Sequence, residues 1–543
     1  MKNILLSISL FLLASSFVYT QSKSVASDFK VVWGAPYEIP KKYEDKGYFG
    51  NMNDGIVQIS MKPEKEMIIQ RFDPTKLALT KQDNIDITKM PSGFIADLFT
   101  MHKGKFYMFY SIWDKPRKKE QLFVQQIDII KGSLSGTAQM LIEADKIVGE
   151  YIQTSRFSVE KANKYNFKFS IDSTKLLVTY KKIPVEKRDA INKDIYGFYV
   201  FDKNFNVVWN NEFKMPYTET MMDNSDFCVD TKGNAYMLCK VYEGEKRESK
   251  NDAPNYHYEV FKIEKGITDI KQIQIKLDNK FVNDVSITEN LQGQMICAGY
   301  YRSDKKSNST DGAFMVKIGD TNELSVMNKG FYEFPAETLK EFEKSRTQNK
   351  IEKEDKNAEA EVSNLELRKI VLNKDGSTMF IGEQYLLKVI TRTYSSGNGQ
   401  TSSTTTYKHY YGDVYIMKID PLGDIEWVKK IPKNQVGVNG RGGMSFLNFN
   451  YEGDNYFLYL DNLKNLNLTS DKAPAEHQDG FGGFLTVCKL DNNGNLTKGK
   501  LFDIREKDVQ IWPAEFSIIS PNIIIGRSYS EKLSKMMKLT LKP

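Results

Sequence analysis

The stretch Asp413-Val-Tyr-Ile-Met-Lys-Ile-Asp420, continued by Pro421-Leu-Gly-Asp-Ile-Glu-Trp427, reads as a strand, a tight turn and a second strand. Aromatic and β-branched residues fill the first run, and Asp-Pro-Leu-Gly supplies residue types that reverse a chain. The same pattern, an apolar strand ending in an acid, recurs at Met67 to Asp73, Gln121 to Asp128, Ile195 to Asp202, Tyr258 to Glu264, Ala313 to Asp320 and Phe484 to Asp491. Asp202 to Trp209 keeps both the turn and a Trp at the offset of Trp427, whereas Asp491 to Asn495 keeps the turn alone. Seven copies, with acids 55 to 100 residues apart, make a repeat.

Upstream of the copies lies a second hairpin, clearest at Asp226 to Tyr242, Ala96 to Ile112 and Ile287 to Tyr301, each with a Gly in its turn. The unit is therefore four meandering strands, A to D, which is the blade of a β-propeller in an all-β chain. The C-terminus supplies only three strands, at Glu515 to Ile519, Asn522 to Tyr529 and Lys532 to Leu541. Asp28 to Ile39 reads as the missing outer strand, with Trp33 in the role of Trp209 and Trp427. Pairing the N-terminal strand with the C-terminal blade would close the ring and remove its exposed edges. Seven full units and one composite unit predict eight blades, with seven as the fallback if one copy is misread.

Asp230-Thr-Lys-Gly-Asn-Ala-Tyr236 and Lys418-Ile-Asp-Pro-Leu-Gly-Asp-Ile-Glu-Trp427 resemble the turn and strand-pair motifs of exported bacterial β-propeller repeat proteins. The resemblance spans nearly the whole chain after its leader, and its motifs are structural, so it implies architecture rather than activity. The Lys-, Asn- and Tyr-rich style also resembles Bacteroidota proteins of the periplasm and cell surface.

Composition narrows the classes. The chain has 543 residues, 40% hydrophobic and 27% charged, inside the ordinary globular range. A formal net charge of +6 over this length is too thin for a nucleic-acid surface, so no nucleic-acid partner is expected. Residues 1–20 read as a secretory signal peptide: Lys2, an apolar run from Ile4 to Ala14, and cleavage before Gln21. No later stretch reaches the length of a transmembrane helix. The remainder, 21–543, is expected to be a single exported propeller domain, periplasmic or alternatively at the surface or secreted. Cys228, Cys239, Cys297 and Cys488 lie in strand-like runs and are expected as buried thiols, with a Cys228–Cys239 bridge as the sharper alternative in an oxidising compartment.

The short turns fall at A–B and C–D, so the long connections, B–C and D–A, all leave one face of the disc, where binding loops commonly sit. Two insertions stand out. Residues 336–361 are charged and rich in helix formers, expected as a solvated helix or partly disordered arm; Leu339 and Phe342 are its strong apolar pair and the candidate partner-binding residues. Residues 390–410 read as a polar, flexible loop.

Catalytic signals are sparse. His102, His257, His409 and His477 show no metal-ligand spacing, and Gly437 to Gly443 has no following helix to make a phosphate cradle, so no metal and no cofactor are expected. Eight blades are also a feature of quinone-cofactor dehydrogenases, but three Trp at one offset, out of five, fall short of their docking pattern. Inner strands open with Asp97, Asp226, Asp284, Glu366, Asn448 and Glu515. Two carboxylates meeting at the channel mouth could act on a sugar as acid and nucleophile or base. Asp97 and Asp226 stand seven residues before their turn glycines but Asp284 stands nine, so one ring of acids is not expected. Asp97, Asp226, Asp284, Glu366 and Glu515 are thus weak catalytic candidates. The expected function is a non-catalytic periplasmic scaffold or accessory subunit of an outer-membrane complex, with the type IX secretion and gliding machinery as one host. A carbohydrate-binding or glycoside-cleaving propeller is the alternative.

Overall fold

The computed structural model describes residues 25–542 apart from 41–42, 54, 63–65, 89, 92, 156–157, 185–190, 245–247, 305–308, 321–323, 357–359, 396–400, 480–481 and 530–532. The predicted leader therefore lies outside the described residues. The fold is a β-propeller, built from antiparallel meanders whose four strands follow chain order. Sheet 4 is typical: Met222–Val229, Ala235–Tyr242, Tyr256–Ile263 and Lys271–Ile275 pair in sequence. Among the described residues seven sheets follow this plan, and an eighth follows it except that its outer strand comes from the N-terminal segment. Their first strands, numbered here from sheet 1 to sheet 8, are Glu44–Asn51, Ile95–His102, Asn166–Phe169, Met222–Val229, Phe281–Glu289, Leu365–Leu372, Phe446–Tyr451 and Ser517–Ser520. All seven acid-ending repeats are third strands. In sheet 8 the outer strand is Phe29–Glu38, which pairs antiparallel with Leu533–Leu541 from Phe29↔Leu541 to Glu38↔Leu533.

Among the described residues the core is divided among eight apolar clusters, each shared by two successive sheets. Phe109, Leu122, Leu176 and Phe201 fill the space between sheets 2 and 3, for example. Tyr37, Ile56, Phe72, Ile525 and Met536 do the same between sheets 8 and 1, so the succession of interfaces returns to its start. Each blade has two apolar faces, which is why its middle strands read as unbroken apolar runs rather than alternating ones.

Turn chemistry explains the repeated acid. The N–H groups of Gly423 and Asp424 donate to Asp420 Oδ1 at 2.8 and 2.9 Å, and Gly423 takes the left-handed φ of 97° that this turn requires. Those amides hold the Asp420 carboxyl below the usual carboxylate range. Asp202 and Asp491 cap their turns in the same way. A lysine two or three residues before the acid staples blades together. Lys317 Nζ donates to Pro421 O at 2.9 Å and Lys418 Nζ to Asn492 O at 3.3 Å, each reaching a turn of the next sheet. Trp209 and Trp427 also lean forward, their indole N–H groups donating to Gly233 O and Asn492 O. Trp33 departs from this role: it packs edge-on against Phe502 of the preceding sheet, ring centroids 5.5 Å apart.

The cysteines are buried free thiols as expected, and the alternative bridge does not form: Cys228 and Cys239 lie on opposite faces of sheet 4, because Cys228 stands across from Tyr236 while Cys239 stands across from Asn224. Two sequence expectations need correction. The stretch expected as a flexible polar loop is a ribbon: Thr378–Ser395 and Thr401–Ile419 pair from Tyr385↔Tyr411 out to Ser395↔Thr401. The charged insertion forms helices α1 (Ala336–Lys340) and α2 (Ser345–Asp355), docked on sheets 5 and 6. Among the described residues no helix is long and apolar enough to cross a membrane.

Candidate functional site

Consecutive first strands of sheets 3, 4, 5 and 6 wall a cavity of about 560 Å³. Its charged lining is Lys168, Asp226, Asp284, Glu366, Arg368 and Lys369. The alternation of a strand would send neighbours to opposite faces. Bulges break it here: register shifts fall between Asn224 and Asp226, Asn283 and Ser286, and Leu367 and Lys369. An extra residue bends the strand and re-aims its side chains, and Asp284 accordingly adopts φ 50°. Asp97 and Asp45 mark the same irregularity in the first strands of sheets 2 and 1.

The structure thus brings together three of the five candidate acids. Asp226 is fully engaged. Its Oδ1 lies 2.8 Å from Lys168 Nζ, and Oδ2 accepts from Ser286 Oγ and from the Ile287 N–H at 3.1 Å. It ties sheets 3, 4 and 5 around the channel. Asp284 has a weaker hold, a 3.4 Å contact from the Leu367 N–H. Burial raises its carboxyl against the opposing pull of that amide and of Arg368. Glu366 pairs with Arg368 at 3.0 Å; burial raises it too, with Asp284 and Glu383 adding to the rise. Lys369 has Asn448 Oδ1 at 3.0 Å, and burial lowers its ammonium. Asp284 and Glu366 are the carboxylates with bonding capacity toward the cavity, set among cations.

The other two candidates lie elsewhere. Asp97 sits between sheets 2 and 3, Oδ2 shielded and without a hydrogen-bond partner, and burial pushes its carboxyl up to about 7. Glu515 closes a rim contact, accepting from Arg441 at 3.0 Å and from the Tyr529 hydroxyl at 2.7 Å. Among the described residues no group of three or more His, Cys, Asp or Glu side chains is arranged to hold a metal ion. The partner-binding candidates are also displaced. Leu339 is 2% exposed, packed in the core between sheets 5 and 6, so it anchors α1 rather than facing outward. Phe342 is half-buried, with φ 58° and its N–H donating to Ser470 O. The buried Lys430 fixes this insert, donating to Leu339 O, Glu341 O and the Glu343 carboxylate.

Sequence reasoning missed the cations of the cavity and a buried ion cluster behind it. Lys433 and Glu383, both fully buried, meet at 2.8 Å, and Arg368 and Ser445 bind the other Glu383 oxygen. Glu366-Leu-Arg368-Lys369 on a first strand was the available signal, obscured by its bulge.

Among the described residues, the rim opposite the short turns carries every added element. The hairpin Glu150–Ser155/Ser158–Ala162, helices α1 and α2, Gln435–Val438 and Gln510–Ile511 lie in D–A crossings. Ser249–Lys250/Ala253–Pro254, the outer part of the ribbon, and His477–Gln478 lie in B–C crossings. A groove of about 530 Å³ runs from Asp284 and Glu366 to Tyr385, Leu386 and Leu387 at the ribbon's base.

No family model and no curated protein matches the chain. Solved structures do. The β-propeller domain of the Trilobed protease from Pyrococcus furiosus is 12% identical, with 85% of this chain and 99% of that one covered and a TM-score of 0.33. The WD40 domain of SCAP from fission yeast is 7% identical, with 95% of each chain covered and a TM-score of 0.37. Pyrococcus horikoshii acylaminoacyl peptidase is 12% identical over 92% of this chain, with a TM-score of 0.33; the chain spans 58% of that protein's length. Propellers host enzymes, scaffolds and receptors alike, so these likenesses carry no function with them.

Proposed function

We propose that this chain is an exported, eight-bladed propeller scaffold that holds a protein partner on its insert-bearing rim. The observation that carries the reading is the placement of every inserted hairpin, helix and ribbon on one face of a disc whose other face has short turns. A rigid ring with decorations on one side is built for recognition. The leader-like N-terminus and the resemblance to exported Bacteroidota propellers support an envelope address and an accessory role in an outer-membrane complex. The type IX secretion and gliding machinery is the host this address favours. The test is a tagged pull-down from detergent-solubilised envelopes. A stoichiometric envelope protein is the expected result, and isolation of this chain alone would sink the reading.

A second reading has one observation behind it: Asp226, Asp284 and Glu366 share a cavity. A carbohydrate bound there would meet Asp284 and Glu366 directly. Glycan screening of the purified protein tests it, with loss of binding in Asp284→Asn expected.

A further inference from the structure

The ribbon leaves sheet 6 where the pairing of its first strand stops. Leu365 pairs with Gln384, the Tyr385 N–H donates to Asn364 O, and beyond that residues 386–395 have no strand on this side among the described residues. Their other side is paired throughout. At about 3.3 Å per residue the arm extends ~30 Å past the sheet. Because the Tyr385 N–H points away from Thr401–Ile419, strand parity turns the backbone groups of Leu387, Val389, Thr391 and Thr393 outward as well.

The charge on this arm is one-sided. Between Tyr385 and Tyr411 the ionisable groups are Lys388, Arg392, Lys408, His409 and tyrosines, with no Asp or Glu. Lys388 stands directly across from Lys408, and like charges so placed weaken a ribbon. Among the described residues none of these three cations pairs with an acid. Arg392 shares their face, with Ile390 between it and Lys388. The opposite face presents Leu387, Val389 and Tyr407, 43%, 53% and 45% exposed.

We propose that this ribbon is a docking arm for an extended acidic segment of a partner polypeptide, added as a strand to the free edge of Thr378–Ser395. The proposal rests on the scaffold reading and names the partner's chemistry. A row of open amides beside apolar side chains is the setting for strand addition. A second copy of the same edge would bring Lys388 and Arg392 against their own kind, which excludes self-pairing on charge. An added strand places two residues four apart against Lys388 and Arg392, with one facing Ile390 between them. The recognised pattern is acid, three apolar residues, acid.

The probe is a fluorescein-labelled peptide, Glu-Ile-Val-Ile-Glu flanked by threonines, titrated by anisotropy against the full chain, with Gln replacing both acids in a control. Expected results are weakening by about tenfold for the Gln control, for the Lys388→Glu/Arg392→Glu variant and on raising salt to about 0.5 M, with slowed amide exchange at Leu387 to Thr393. Val389→Pro is expected to abolish binding while leaving the charges intact, since it removes an outward amide. Unchanged circular dichroism checks that both variants fold. Equal binding of the Glu and Gln peptides overturns the proposal, as does no binding, or binding to anionic phosphatidylglycerol vesicles in place of the peptide. In the envelope pull-down, a partner that stays with Lys388→Glu/Arg392→Glu overturns the arm and leaves the scaffold standing. No partner for the unaltered protein overturns the scaffold, and the peptide titration then decides the arm by itself.

Discussion

Replacing Asp97 with Asn isolates a single titrating carboxyl whose effect on stability has a definite sign. Burial between sheets 2 and 3 pushes this carboxyl up to about 7, with Glu120 adding to the rise while Ser111 and Lys164 oppose it. In the unfolded chain it titrates near 4. From about pH 4 to pH 7 the folded protein therefore holds a proton that the unfolded chain has released, so stability falls as pH rises through this window. Three units at about 1.4 kcal/mol each set a ceiling of ~4 kcal/mol, reached above pH 7. The Asp97→Asn variant keeps the shape and cannot ionise, so it should match the unaltered protein near pH 4 and exceed it near pH 8. An unfolding entropy of about 2 cal/mol/K per residue gives a chain of 543 residues roughly 1 kcal/mol per degree, so the gain is up to ~4 °C in Tm. Scanning calorimetry of both proteins at several pH values, at fixed salt, reads the difference, in which the other titrating groups cancel. A difference that stays flat with pH refutes the reasoning. A variant less stable at pH 8 refutes it more sharply, because Asp97 would then be ionised and supported by Lys164, a cation already 2.8 Å from Glu120.

Glu383→Gln should destabilise by about 3–5 kcal/mol in urea unfolding, because it leaves the fully buried Lys433 without its counter-charge. Lys418→Met, which removes the staple from sheet 6 to Asn492 O and the contact to Glu426, should cost ~1–3 kcal/mol by the same measurement. Native protein should show no fast-reacting thiol toward a disulfide reagent and four after unfolding. Burial holds the Cys228 thiol at about 12, and a Cys228–Cys239 bridge would yield two.

The features legible in the sequence are those set by contacts near in the chain. Asp420, Asp202 and Asp491 cap turns through amides two to four residues away, so the acid, the turn and the strands around it recur as one readable unit. The outer strand supplied by Asp28 to Ile39 was readable because the C-terminal unit came up one strand short. What escaped depends on partners far apart in sequence. Asp226 is held by Ser286 and Lys168, each about sixty residues away, and nothing local marks either one. Bulges were equally invisible: one extra residue in a first strand reverses which side chains meet the channel, so counting residues to the turn glycine placed the acids by a rule the strands do not obey.

The ribbon shows the same limit from the other side. Thr391 to Thr406 has too little apolar content to signal a strand, and a free hairpin of this composition would be marginal in water. Residues 391–395 and 401–406 pair as strands because the second and third strands of sheet 6, held by Ile381, Ile416 and Met417 in the core, fix a register that these polar residues inherit. That arrangement places the arm's stability in the blade, which leaves its own side chains to be chosen for something else. Lys388 facing Lys408 is then a cost the arm bears for recognition, and it is the feature most directly at odds with a purely structural role. Reversing one of that pair, Lys408→Glu, should therefore stabilise the isolated protein by a few tenths of a kcal/mol while weakening capture of the acidic peptide. A variant that gains no stability would mean that the two lysines do not oppose each other in solution, and the argument from charge would fail with it.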